Sequence, residues 1–320
     1  MTAQPTPKEA SVSEVNYDFQ ILLAYDGSEH AQAAIELLGD LNAGARSHVT
    51  ALAVLPTQHI GAHEKLQTSL KQAEARLLEK GMGVTSIIKA GNPAATINAQ
   101  AQEIIETQGR MDVIAIGARG LRSTLGILLG GVAQQVVEYS CCPVLVVRAP
   151  YIGVQRILFV TDGSPYSQIA LEYLAPTRTR QCAKCLPLPT QAEVHIMHVL
   201  PPEIPPELAM RTWTVGPEVL YPAPPIDTEA LEAEEQEQGE RILGQAQAIL
   251  LATGVQARPF LKRGDAATEI IAHVQEHKID LVVCGSRGLS AVSGWLLGSV
   301  SRKLVHYTGC SVLIVKSTLV

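Results

Sequence analysis

"ILLAYDGS", residues 21–28, recurs as "ILFVTDGS", residues 157–164, at an offset of 136 positions. Working outward, "DVIAIGARGL" at 112–121 recurs as "DLVVCGSRGL" at 280–289. The closing "CCPVLVVRAP" at 141–150 is answered by "GCSVLIVKS" at 309–317. Self-similarity on the scale of a small domain means two tandem copies of one unit. The copies are placed at 17–150 and 151–320, after 16 residues, "MTAQPTPKEASVSEVN", that read as a disordered polar tail. The later motifs are 168 apart, so the second copy is longer by about 32 residues. Insertions at about 175–190 and 201–226 supply them. Eight prolines crowd the stretch from Pro201 to Pro225, and both insertions read as surface loops.

Within each copy an apolar, β-rich run ends at Asp-Gly-Ser, and apolar residues then recur at helical spacing behind a serine. "SHVTALAVL" and "EVHIMHVL" form the second strands, "VTSIIKAG" and "VQARPFLKRG" the third. Asn92 with Pro93, and Asp265, are placed to cap the next helices. Strands of near-continuous Val, Ile and Leu alternating with helices predict an α/β fold. It consists of two tandem doubly wound domains, each a five-stranded parallel sheet with helices on both faces. In such sheets ligands bind beyond the carboxyl ends of the strands where the strand order reverses. Asp26 and Asp162 end the first strands there, and Gly117 and Gly285 end the fourth.

The fourth strand of the second copy runs into "GSRGLSAVSGWLLGSVS": Gly285, two residues, Gly288, nine residues, Gly298, and then Ser299, Val300 and Ser301 opening a helix. Glycines let backbone approach an anion closely, and the free N–H groups of a helix start meet its charge. Ser299 and Ser301 add hydroxyl donors, and Arg287 is placed to meet phosphate. The first copy keeps the spacing with Gly117, Gly120 and Gly130, and Arg119 matches Arg287. Gly131 and Ala133, however, stand where the serines stand. A hydrogen bond to a charged group contributes about 1.5–3 kcal/mol, so losing two predicts an affinity lower by one to several orders of magnitude. The plain structural reading also stands: the glycines permit tight turns, and each Asp caps its helix.

Other classes fit poorly. A formal charge of −6 gives no basic field for nucleic acid, and no apolar run reaches the ~20 residues of a membrane-spanning helix. The amino terminus has no secretion-signal pattern, and six sparse cysteines suit a reducing cytoplasm. Cys182 and Cys185 have metal-motif spacing, but no second such pair accompanies them. The phosphate-loop lysine motif of fast ATPases is absent.

With these motifs on the page, both copies resemble universal stress protein domains, whose nucleotide-binding members carry Gly-x2-Gly-x9-Gly-Ser/Thr. The resemblance implies a Rossmann-like, adenine nucleotide alpha-hydrolase-like fold and a cytoplasmic, ATP-binding stress-response protein with at most weak ATPase activity. Mg²⁺ could accompany ATP, and ADP or AMP are alternatives. It implies that Asp162 meets ribose, that Val199 meets adenine through its backbone, and that Gly285, Gly288, Gly298, Ser299 and Val300 hold phosphates. Asp26, Val54, Gly117, Gly120, Gly130 and Val132 form the matching set in the first copy, where Gly131 departs from the family's Ser/Thr. It further implies that residues 144–147 and 312–315 pair within the chain as a built-in dimer, with further homo-oligomers and a regulatory protein partner open. The alternatives are an interaction module with empty crevices and a slow ATP hydrolase.

Overall fold

The structure is a computed structural model that describes residues 19–41, 47–55, 63–120, 129–174, 189, 191–203, 212–214, 220–222, 227–288 and 297–316. The expected tail and the Cys182/Cys185 pair lie outside the described residues.

The first repeat runs β1 (Phe19–Ala24), α1 (Glu29–Asp40), β2 (Ser47–Leu55), α2 (His63–Glu79), β3 (Gly83–Ala90), α3 (Pro93–Gln108), β4 (Val113–Gly117), α4 (Gly131–Tyr139) and β5 (Val144–Val147). The second runs β6 (Arg156–Val160), α5 (Pro165–Leu174), β7 (Glu193–Leu200), β8 (Thr212–Thr214), β9 (Leu220–Pro222), α6 (Thr228–Ala252), β10 (Ala257–Arg263), α7 (Ala266–Glu276), β11 (Leu281–Gly285), α8 (Ser299–Tyr307) and β12 (Ser311–Val315).

The main sheet has ten strands in the order β10-β7-β6-β11-β12-β5-β4-β1-β2-β3. Each half is five parallel strands, and the order reverses between β1 and β4 and between β6 and β11. Strands covered on both faces need apolar side chains in both directions, which is why Val144 to Val147 and Leu281 to Cys284 are all buried. One face packs under α1, α2, α5 and α6, the other under α3, α4, α7 and α8. Each of these two apolar layers includes residues of both repeats.

Helix starts follow the sequence. The side chains of Ser28, Asn92 and Asp265 accept the N–H groups of Ala31, Ala95 and Thr268 and so cap α1, α3 and α7. One reading needs correction: the proline-rich insertion is not loop throughout, because β8 and β9 pair antiparallel as a small separate ribbon. Its prolines outweighed the β-favouring Thr212-Trp213-Thr214 in the sequence-based reading.

The halves join where β5 meets β12 antiparallel, with Val146 opposite Val312, Leu145 opposite Leu313 and Val144 opposite Ile314. This is the expected pairing within one chain. It closes two edges that would otherwise present unpaired backbone. The residue following each strand crosses the seam. Arg148 Nη2 donates to the Val305 carbonyl at 2.7 Å, at the carboxyl end of α8. Lys316 Nζ donates to the Ser140 and Glu138 carbonyls at 2.7 and 3.1 Å, at the carboxyl end of α4. Each repeat thus places a cation on the negative end of the other's helix dipole. Burial lowers the Lys316 pKa to about 8.

Candidate nucleotide site

The first strand of each half delivers an aspartate to the crevice. Asp26 Oδ1 accepts the Ser28 N–H, and Asp162 Oδ1 accepts the Ser164 N–H, both at 3.0 Å. Ser28 Oγ then accepts the Ala31 N–H and donates to the Arg119 carbonyl at 3.2 Å, tying the first turn to the loop after β4. Ser164 Oγ likewise accepts the Ser167 N–H at 3.2 Å. The serines are therefore the caps, while each aspartate braces its turn through one oxygen.

The other oxygen faces the glycine loop. A Cβ built on Gly120 would lie 2.6 Å from Asp26 Oδ2, and one on Gly288 2.5 Å from Asp162 Oδ2. A side chain at either position would push the carboxylate aside, and glycine leaves it in place. The ends of the fourth strands are pressed against the first helices in the same way. A Cβ on Gly117 would meet His30 Cβ, and one on Gly285 the Tyr166 backbone, each at 2.8 Å.

The loops close identically. The Gly130 N–H donates to the Ala118 carbonyl and the Gly298 N–H to the Ser286 carbonyl, both at 2.8 Å. Residues 121–128 and 289–296, between these points, lie outside the described residues. Gly130 and Gly298 are the N-caps of α4 and α8, and neither helix has a side-chain cap bond. Their first-turn N–H groups give the crevice a positive end of the kind that receives anions.

Side chains around these starts divide by repeat. Ser299 is exposed at the start of α8, with Val300 half-buried beside it. Ser301, expected as a second donor to phosphate, is buried and donates to the Gly285 carbonyl at 2.8 Å. Its hydroxyl proton joins α8 to β11, so one hydroxyl rather than two distinguishes the second crevice. In the first, Gly131 and Val132 are exposed and Ala133 is buried. A Cβ on Gly131 would meet nothing within 4 Å.

Both arginines sit beside the ring that follows each Asp-Gly-Ser by two residues. Arg119 Nε lies 3.1 Å from Nε2 of the buried His30, whose Nδ1 accepts the Ala149 N–H at 2.9 Å. Burial and then the adjacent guanidinium hold His30 below the usual histidine pKa. Arg287 lies 5.8 Å from the Tyr166 ring centroid. Neither ring was selected from the sequence, although both occupy the same position of the repeat. Val54 and Val199 are half-buried near the ends of β2 and β7 and pair with Lys89 and Lys262.

Chemically, each crevice offers a carboxylate suited to hydroxyl groups, an arginine and an open helix start suited to phosphate. All surround the point where the strand order reverses.

Known proteins resemble the chain along both repeats. The family model described as "Universal stress protein family" matches residues 19–148 and 153–316. A universal stress protein of Bacillus subtilis is 34% identical over 161 residues, covering 50% of this chain and 98% of its own. One of Thermus aquaticus is 33% identical over 143 residues, covering 40% of this chain and 97% of its own. Among solved structures, a universal stress protein from Archaeoglobus fulgidus aligns over 93% of this chain and 98% of its own, with a TM-score of 0.60 at 23% identity. That last likeness speaks to the fold alone.

Proposed function

The chain belongs to the universal stress protein family, and from that premise we propose that it binds ATP in the crevice of its second repeat and reports nucleotide state by shape rather than by turnover. One observation carries the reading: the Asp162 carboxylate faces the Gly288 backbone beside the start of α8, which has no side-chain cap. A carboxylate accepts hydrogen bonds from paired ribose hydroxyls, and a helix start receives phosphates.

In this reading Val199 presents its backbone to adenine, and Gly285, Gly288, Gly298 and Val300 shape the phosphate loop. Ser299 donates to phosphate and Arg287 adds charge; Mg²⁺, where it accompanies ATP, would neutralise phosphate charge. Ser301 acts from behind, holding the helix start to β11. ADP and AMP use the same contacts with fewer phosphates. The first crevice, with Asp26, Val54, Gly117, Arg119, Gly120, Gly130, Gly131 and Val132, binds more weakly by about one hydrogen bond to a charged group. That amounts to about 10- to 100-fold in affinity. The protein works in the cytoplasm as one partner of a regulatory protein.

The test is nucleotide carried through purification. Full-length protein prepared without added nucleotide, then acid-precipitated, is expected to release ATP or ADP at up to about one equivalent per chain. Protein that releases none and also takes up no MgATP would overturn the proposal in favour of an interaction module. Release of ADP from added ATP above background would instead make it a slow hydrolase.

A further inference from the structure

Cys141 and Cys142 lie between α4 and β5, on the seam between the repeats. Their Sγ atoms are 3.5 Å apart. Cys142 is fully buried, while Cys141 is half-buried and lies 3.7 Å from Gln102 Oε1. Two peptide carbonyls beside them, of Glu138 and Ser140, hold the ammonium group of Lys316, which arrives from the other repeat. An accessible sulfur, a buried neighbouring thiol and a cation are the parts of an oxidant-sensitive site.

We propose that Cys141 and Cys142 form a dithiol that is oxidised by hydroperoxides and restored by thiols. Cys141 reacts first. With the buried Cys142 thiol as donor across the Sγ–Sγ contact, and with Lys316 nearby, the Cys141 pKa is held below the usual thiol value despite partial burial. The same arrangement, with burial, pushes the Cys142 thiol up.

The Cys141 thiolate attacks one peroxide oxygen. The S–O bond forms, the O–O bond breaks, sulfur loses two electrons, and the departing alkoxide or hydroxide takes a proton from water. Cys142 Sγ then attacks the sulfenic sulfur. The S–S bond forms, the S–O bond breaks, and the Cys142 proton leaves with the hydroxyl as water. The Cα atoms of neighbouring residues are about 3.8 Å apart, closer than disulfides prefer, so the product is strained and readily reduced. These features make the site a reversible one.

The test treats reduced full-length protein with hydrogen peroxide and maps its peptides by mass spectrometry. The peptide holding both cysteines is expected to lose two hydrogens and regain them with dithiothreitol. Cys142→Ser is expected to accumulate a dimedone adduct on Cys141, and Cys141→Ser to give neither product. A pair that stays reduced, or an adduct that forms on Cys142 instead, would overturn the proposal.

A measurement on the unmutated chain guards against variants that fail to fold. Iodoacetamide is expected to alkylate Cys141 at about pH 6.5 about fivefold faster than free glutathione. The larger thiolate fraction outweighs the lower nucleophilicity of a more acidic thiol. Lys316→Gln should slow it, and a rate no greater than that of glutathione contradicts the assignment.

Discussion

At the residue scale, the two crevices differ most at one position. Ser299 presents an exposed hydroxyl where the first repeat has Gly131. Replacing Ser299 with Ala removes one hydrogen bond to a charged group and is expected to weaken nucleotide binding by about 10- to 100-fold with little change in stability. Gly131→Ser is the reciprocal change. The space beyond Gly131 is open, so the serine should be accommodated and should strengthen the first crevice. Equilibrium titration of the two variants reads both effects, and an unchanged affinity in each would remove the serine from the site. The Asp-Gly-Ser turns and the glycine spacing were legible because they repeat and because only glycine suits so close a backbone approach. The direction of Ser301 was not legible. It is set by the Gly285 carbonyl, which only the folded β11–α8 turn brings within reach. Arg119 beside His30 was hidden for the same reason, the two being 89 positions apart.

At the scale of elements, β7, β10 and α7 bring together a histidine cluster far from the crevices. His195 Nδ1 lies 2.9 Å from His273 Nε2, with His277 and the Phe260 ring packed against them and Glu193 3.2 Å from His195 Nε2. Burial first, and the neighbouring His277 and His195 next, lower the His273 pKa to about 4. Burial likewise lowers that of His195. Above the ordinary histidine pKa both folded and unfolded chains are neutral here, and the contribution to stability is complete. As pH falls below about 6.5 the unfolded chain takes protons that the folded chain refuses, so stability drops progressively until His273 titrates near 4. Urea midpoints are expected to fall between about pH 7 and about pH 5, and His273→Asn is expected to flatten the slope. An equal slope in that variant would assign the acid sensitivity elsewhere. The sequence does not bring these histidines together, since their approach depends on the pairing of β7 with β10. The strands and helices themselves were legible from apolar runs and caps. The β8–β9 ribbon was not, because the surrounding prolines obscured two three-residue strands.

At the scale of the whole molecule, one sheet and two shared apolar layers make the repeats a single body joined at β5 and β12. The resemblance to the family implied that pairing. The reciprocal helix contacts of Arg148 and Lys316 are a finding of the structure. Arg148→Ala removes a buried charged donor from the Val305 carbonyl and should lower stability by about 1.5–3 kcal/mol. Denaturant unfolding measures it, and a loss below about 0.5 kcal/mol would show the contact to be incidental. Among the described residues, no helix is long and apolar enough to cross a membrane.

The proposed nucleotide site is the second crevice. It is tested most directly by calorimetric titration of MgATP into the full-length protein beside a Gly298→Val, Ser299→Ala variant shown to be folded. A tight site near one equivalent per chain is expected, absent from the variant, with any weaker binding retained in the first crevice. Equal tight binding by the variant would place the nucleotide elsewhere. Absence of binding in the unmutated chain, with no nucleotide retained from purification, would contradict the claim and leave the glycine loops as turns.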